Sequence, residues 1–132
     1  MKTKLLLLRL GGISNALFFL FHLFLGWSIW HWTQVPLALR GLLETFNLAG
    51  ALFIGFFAYA SLCHPAEMLE SGLGRALGLL VVLLYGMRAA CEFVFPPKVN
   101  PLIVALCLAL AAVYLAARLL PGSKPAASAG AV

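Results

Sequence analysis

ALGLLVVLLYGMRAACEFVF, residues 76–95, carries two charged side chains, Arg88 and Glu92, in an otherwise apolar run. About 20 helical residues, each rising about 1.5 Å, cross a hydrocarbon core about 30 Å thick. The run therefore has the length and character of a transmembrane helix. Leu5–Trp30, Leu42–Leu62 and Leu102–Leu120 have the same character. The expected fold is all-α: an integral membrane bundle of four transmembrane helices over residues 1–120, with spans at about 5–30, 42–62, 76–95 and 102–120. Residues 121–132, PGSKPAASAGAV with Leu120 before them, read as a flexible C-terminal tail of small residues.

Composition agrees with that reading. Of 132 residues, 64% are hydrophobic and 10% charged, far from the balance of a soluble domain. The opening MKTKLLLLRLGG has the basic and leucine-rich start of a secretory signal, but the apolar run continues to Trp30 without a cleavage pattern, so an uncleaved first span is expected. Net charge is +5, yet the basic residues sit mainly at span ends, where they set topology, and nucleic acid is not an expected partner. Lys2, Lys4, Arg9, Arg75, Arg118 and Lys124 fall on one side, Arg40 and Lys98 on the other. The bias predicts both termini in the cytoplasm. A Leu/Ala/Gly/Arg-rich composition with few lysines points to a bacterial cytoplasmic membrane.

The connecting segments add detail. Trp27, Trp30 and Trp32 at one depth predict an aromatic belt at a membrane interface. CHPAEMLESGLGR, residues 63–75, places Pro65 at a first helical position with Glu67 close behind, so a short interfacial helix is expected, with His64 as a cap or solvated residue. FPPKVNP, residues 95–101, is short enough to make the third and fourth spans an antiparallel pair. Ala51 with Gly55 and Gly74 with Gly78 are small-xxx-small steps of the kind that let membrane helices approach closely. Cys63, Cys91 and Cys107 form no disulfide framework and are expected to be small buried residues.

Arg88 and Glu92 need partners, because an arginine at the centre of a membrane costs at least about 2.5–3.5 kcal/mol. At about 1.5 Å per residue, Glu92 lies roughly 5 Å and Arg88 roughly 11 Å below the outer end of their span. On the same scale His22 lies roughly 12 Å deep, Asn47 about 8 Å and Glu44 about 3–4 Å. Glu44 and Asn47 share a face, as do Tyr85, Arg88 and Glu92, and as do Asn15 and His22. The expected cluster is therefore His22, Glu44, Asn47, Tyr85, Arg88 and Glu92, lining a polar pocket towards the outer leaflet, with Arg88 bridging Glu92 and Glu44. It acts either as a register-fixing network or as a ligand site. Bis-histidine haem does not fit, since His31 and His64 lie at opposite interfaces, and Arg88 would repel a metal cation. No catalytic residue, metal or cofactor is assigned.

The second span, ending in AYASLCHP (58–65), and the third, ending in CEFVF (91–95), give Arg40–Leu120 a layout that resembles the ERG28-like sterol-biosynthesis scaffold proteins. Arg88 and Cys91 stand where that family's His and small residues are expected, so no functional residue is carried over. The chain is also similar to small bacterial four-helix membrane proteins of unknown function. Two function classes follow. In the first, the chain is a small non-catalytic subunit or scaffold of a membrane complex, meeting membrane lipids and other subunits or copies of itself. In the second it is a lipid-, quinone- or small-ligand-binding module or enzyme using His22, Glu44, Arg88 and Glu92.

Overall fold

A computed structural model describes residues 1–120, which are helical apart from short connections. Helix α1 spans Lys2–Trp30, α2 Leu37–Cys63, α3 Pro65–Glu70, α4 Gly72–Val94 and α5 Pro101–Leu119. All but α3 are long and apolar enough to cross a membrane. The expected C-terminal tail lies outside the described residues. The helices extend a few residues beyond the apolar runs, because polar and small residues at the ends still close backbone hydrogen bonds that hydrocarbon cannot replace.

Local chemistry sets the boundaries. Ser71 caps α4 by accepting from the Gly74 amide at 2.8 Å. Asn100 caps α5 by accepting from the amides of Leu102 at 3.1 Å and Ile103 at 3.4 Å, with Pro101 in the first turn, where its missing N–H costs nothing. Pro65 opens α3 in the same way, with Glu67 in its first turn.

Helices α1 and α2 form one antiparallel pair, α4 and α5 another, and α1 packs along α5 to join them. One end of the bundle carries Trp27, Trp30 and Trp32 and is called here the tryptophan end. At the other, α3 folds against α4, α2 and α1. The core runs through Leu8, Phe57, Val81, Tyr85, Leu110 and Tyr114. Large apolar side chains such as Leu17, Phe24, Phe46, Leu52 and Leu83 point outwards. An apolar exterior around a partly polar interior is what a lipid solvent requires and water would penalise.

Small residues set how closely the helices approach. A Cβ on Gly11 would lie 2.6 Å from the Tyr114 ring, and one on Gly12 would lie 2.8 Å from Leu62. Ala51 is buried, and Gly55 receives the ring of Phe19 at 3.1 Å from a Cβ position. The expected Gly74–Gly78 step divides: Gly74 rests directly on the α3 backbone at Glu67 and Met68, whereas Gly78 faces open space and packs against nothing in the described chain. The three cysteines also separate, with Cys107 buried, Cys91 intermediate and Cys63 exposed at the end of α2.

Candidate functional site

The polar groups assemble into four arrangements instead of one pocket. The central one starts at Gly11 and Gly12, whose missing side chains let Tyr114 of α5 and Ser61 of α2 reach α1. Asn15 stands one turn later and is fully buried. The Tyr85 hydroxyl of α4 donates to Asn15 Oδ1 at 2.6 Å, and Asn15 Nδ2 donates to Tyr114 Oη at 2.8 Å and to the Gly11 carbonyl at 3.0 Å. Ser61 Oγ gives its proton to Met68, so the Tyr114 hydroxyl donates to Ser61 Oγ, 2.6 Å away. Ser61 in turn donates to the Met68 sulfur of α3 at 3.4 Å. One chain of hydrogen bonds thus crosses every helix. Each interhelical bond of this kind contributes about 0.6 kcal/mol on average and up to about 1.7.

Sequence reasoning placed Tyr85 beside Arg88 and Glu92 and paired Asn15 with His22; the structure joins Tyr85 and Asn15 to each other instead. Ser61 and Tyr114 were missed. Each is a single polar group in an apolar run, and such a residue has no spacing signal of its own. The available clue was Gly11-Gly12 one turn before Asn15.

The second arrangement links α1 and α2. His22 Nδ1 and Asn47 Oδ1 lie 2.9 Å apart, and Asn47 Nδ2 donates to the His22 carbonyl at 3.0 Å. Because Asn47 Oδ1 can only accept, the Nδ1 proton of His22 fills that bond. Glu44 and Asn47 both press on Gly26, where a Cβ would lie 2.7 Å from Glu44 Oε1 and 2.9 Å from Asn47 Nδ2. Arg40 donates from Nη1 to the Trp30 carbonyl at 3.0 Å and lies over the Trp30 ring, 5.6 Å from its centroid.

The third belongs to α4 and its turn into α5. Arg88 Nη2 and Glu92 Oε1 pair at 2.6 Å, with the Arg88 side chain 47% exposed and that of Glu92 8%. The second carboxylate oxygen of Glu92 accepts from the Asn100 amide at 3.3 Å, stitching the end of α4 to the cap of α5. Among the described residues no hydrogen bond or ion pair joins Arg88 or Glu92 to His22, Glu44 or Asn47. The expected bridge from Arg88 to Glu44 does not form, because α2 pairs with α1 while α4 pairs with α5.

At the opposite end, His64 Nδ1 approaches Glu67 Oε1 at 3.2 Å, while its Nε2 lies 3.1 Å from the Tyr59 hydroxyl. All three side chains are exposed, and the contacts are local, within the α2–α3 corner. Trp27, Trp30 and Trp32 are exposed at their own end, with Trp27 against His31 at a ring separation of 4.7 Å.

The expected polar pocket also changes character. A cavity of about 400 Å³ lies between α1 and α5, lined by Ser14, Leu17, Phe18, Phe21, Leu106 and Leu110 among others. None of His22, Glu44, Asn47, Tyr85, Arg88 and Glu92 lines it. Its one hydroxyl, on Ser14, is turned back to the Leu10 carbonyl at 3.0 Å. No family model, curated protein or solved structure matches the chain.

Proposed function

We propose that the chain is a small non-catalytic integral membrane subunit or scaffold of a larger membrane complex. The observation that carries this reading is the separation of the polar groups. An acid/base site needs its groups within hydrogen-bond reach of one reacting atom. Here Asn47 engages Nδ1 and the carbonyl of His22, Arg88 and Glu92 pair on another helix, and Asn15, Tyr85, Tyr114 and Ser61 complete one another's bonds. These contacts fix helix register and leave the broad apolar exterior as the surface through which the protein works. Gly78, open on the outside of α4, offers a close approach for a helix of another subunit or a second copy. The layout likeness to sterol-biosynthesis scaffold proteins points the same way, as does the charge bias, which puts both termini in the cytoplasm and suits a bacterial cytoplasmic membrane.

Extraction of the full chain from its native membranes in mild detergent tests the reading. A stoichiometric membrane-protein partner should co-purify and be lost when Gly78 is replaced by Phe. A monodisperse chain that brings no partner would overturn it. The second reading, a lipid-binding module, is favoured by the state of Arg40 and Glu44.

A further inference from the structure

The pattern Arg-x-x-x-Glu occurs twice in this chain, as Arg40-Gly-Leu-Leu-Glu44 in the first turns of α2 and as Arg88-Ala-Ala-Cys-Glu92 in the last turns of α4. Both copies lie at the tryptophan end. The α4 copy closes into an ion pair at 2.6 Å. Among the described residues the α2 copy forms no ion pair, and the buried Nε of Arg40 and Oε2 of Glu44 meet no hydrogen-bond partner.

Helix α1 holds the α2 pair open. Arg40 is drawn to Trp30 by the hydrogen bond to its carbonyl and by the ring beneath the guanidinium. Glu44 lies against Gly26, beside Asn47, in space that a Cβ there would fill. His22, one turn before Gly26 on α1, has its Nδ1 engaged by Asn47. A cation and an anion therefore lie one helical turn apart without forming an ion pair with each other. At the depth marked by the tryptophans the surroundings are lipid headgroups.

We propose that Arg40 and Glu44 together bind the headgroup of a zwitterionic aminophospholipid, its phosphate on Arg40 and its primary ammonium on Glu44. The charge order selects the class. A purely anionic headgroup satisfies Arg40 but is repelled by Glu44, and a simple amine meets the reverse conflict. A primary ammonium also brings three N–H donors to the carboxylate, whereas a quaternary ammonium brings none. Ethanolamine headgroups are thereby preferred over choline and glycerol headgroups.

The test uses the full chain in mild detergent, offered equimolar phosphatidylethanolamine, phosphatidylcholine and phosphatidylglycerol of identical acyl chains, with bound lipid read by native mass spectrometry. The wild type should retain phosphatidylethanolamine about tenfold over either competitor, the differential expected of one charge-assisted contact. Glu44→Gln should abolish the preference over phosphatidylglycerol, Arg40→Gln should lose the lipid, and Lys98→Gln should change nothing. Equal retention of the three lipids by the wild type would overturn the proposal, and so would a Glu44→Gln variant that keeps the wild-type order. The wild-type comparison decides even if a variant fails to fold. It needs no protein partner, so this proposal and the subunit reading fail separately.

Discussion

Asn15 shows how much one polar side chain can organise inside a membrane. Its amide donates twice and accepts once, so replacing it with Leu, of similar size, strands the Tyr85 hydroxyl in the core and leaves Tyr114 with Ser61 alone. Asn15→Leu should destabilise the bundle by about 1–3 kcal/mol, as expected for buried polar groups left unsatisfied. Tyr85→Phe removes a single donor and should cost less, about 0.6–1.7 kcal/mol. Reversible unfolding in mixed micelles measures both, and equal losses would refute the central role of Asn15. Glycines provide the complementary test. Gly11→Leu should separate α1 from α5, since even a Cβ would lie 2.6 Å from the Tyr114 ring. Gly41→Ala, with nothing within 4 Å, should be neutral or stabilise α2 by up to about 1 kcal/mol. The importance of Gly11 was not legible in the sequence, because its neighbour comes from a helix about a hundred residues away.

Among the elements, α5 depends most visibly on its start. Asn100 supplies its cap, and Glu92 ties that cap to α4 through the Asn100 amide. Arg118 returns the favour at the far end, donating to the Arg75 carbonyl at 3.3 Å. Asn100→Ala should cost about 1 kcal/mol, the usual worth of a cap, and fray the first turn of α5 in hydrogen exchange. Protection unchanged at Leu102 and Ile103 would show that the cap contributes nothing. The short α3 was readable from CHPAEMLE, whose proline and following acid form a local start signal. Its tertiary use was not. Met68 accepts the last hydrogen bond of the central chain, and Gly74 lets α3 fold flat against α4.

At the scale of the whole molecule, four membrane-length helices with short connections return the described chain to the end where it began. The proposed topology puts that end in the cytoplasm, and Cys63, exposed there, tests it. A membrane-impermeant maleimide should label Cys63 in inside-out vesicles and spare it in intact cells, while buried Cys107 stays unlabelled until the protein is unfolded. Labelling of Cys63 in intact cells would invert the topology. The cavity between α1 and α5 is lined almost wholly by apolar side chains, and the hydrogen-bonded clusters lie elsewhere, inside the bundle and at its ends.

The sequence by itself determined the class, the number of membrane-length helices, their approximate limits, the short α3 and the gathering of the tryptophans at one end. Each of these follows from local quantities: apolar run length against bilayer thickness, caps and prolines at helix starts, and aromatic residues at an interface. Depth arithmetic put His22 and Asn47 in one layer and helical spacing put Arg88 beside Glu92, whereas Ser61 and Tyr114 escaped both. Only the tertiary structure decided which of these groups meet. Depth is one coordinate along the bundle axis, whereas contact also requires a choice of neighbouring helix and of rotation about each axis. Close packing at Gly11, Gly12 and Gly26 makes that choice. It sends Asn15 to the two tyrosines, keeps Glu44 with α1, and leaves Arg88 to Glu92 alone.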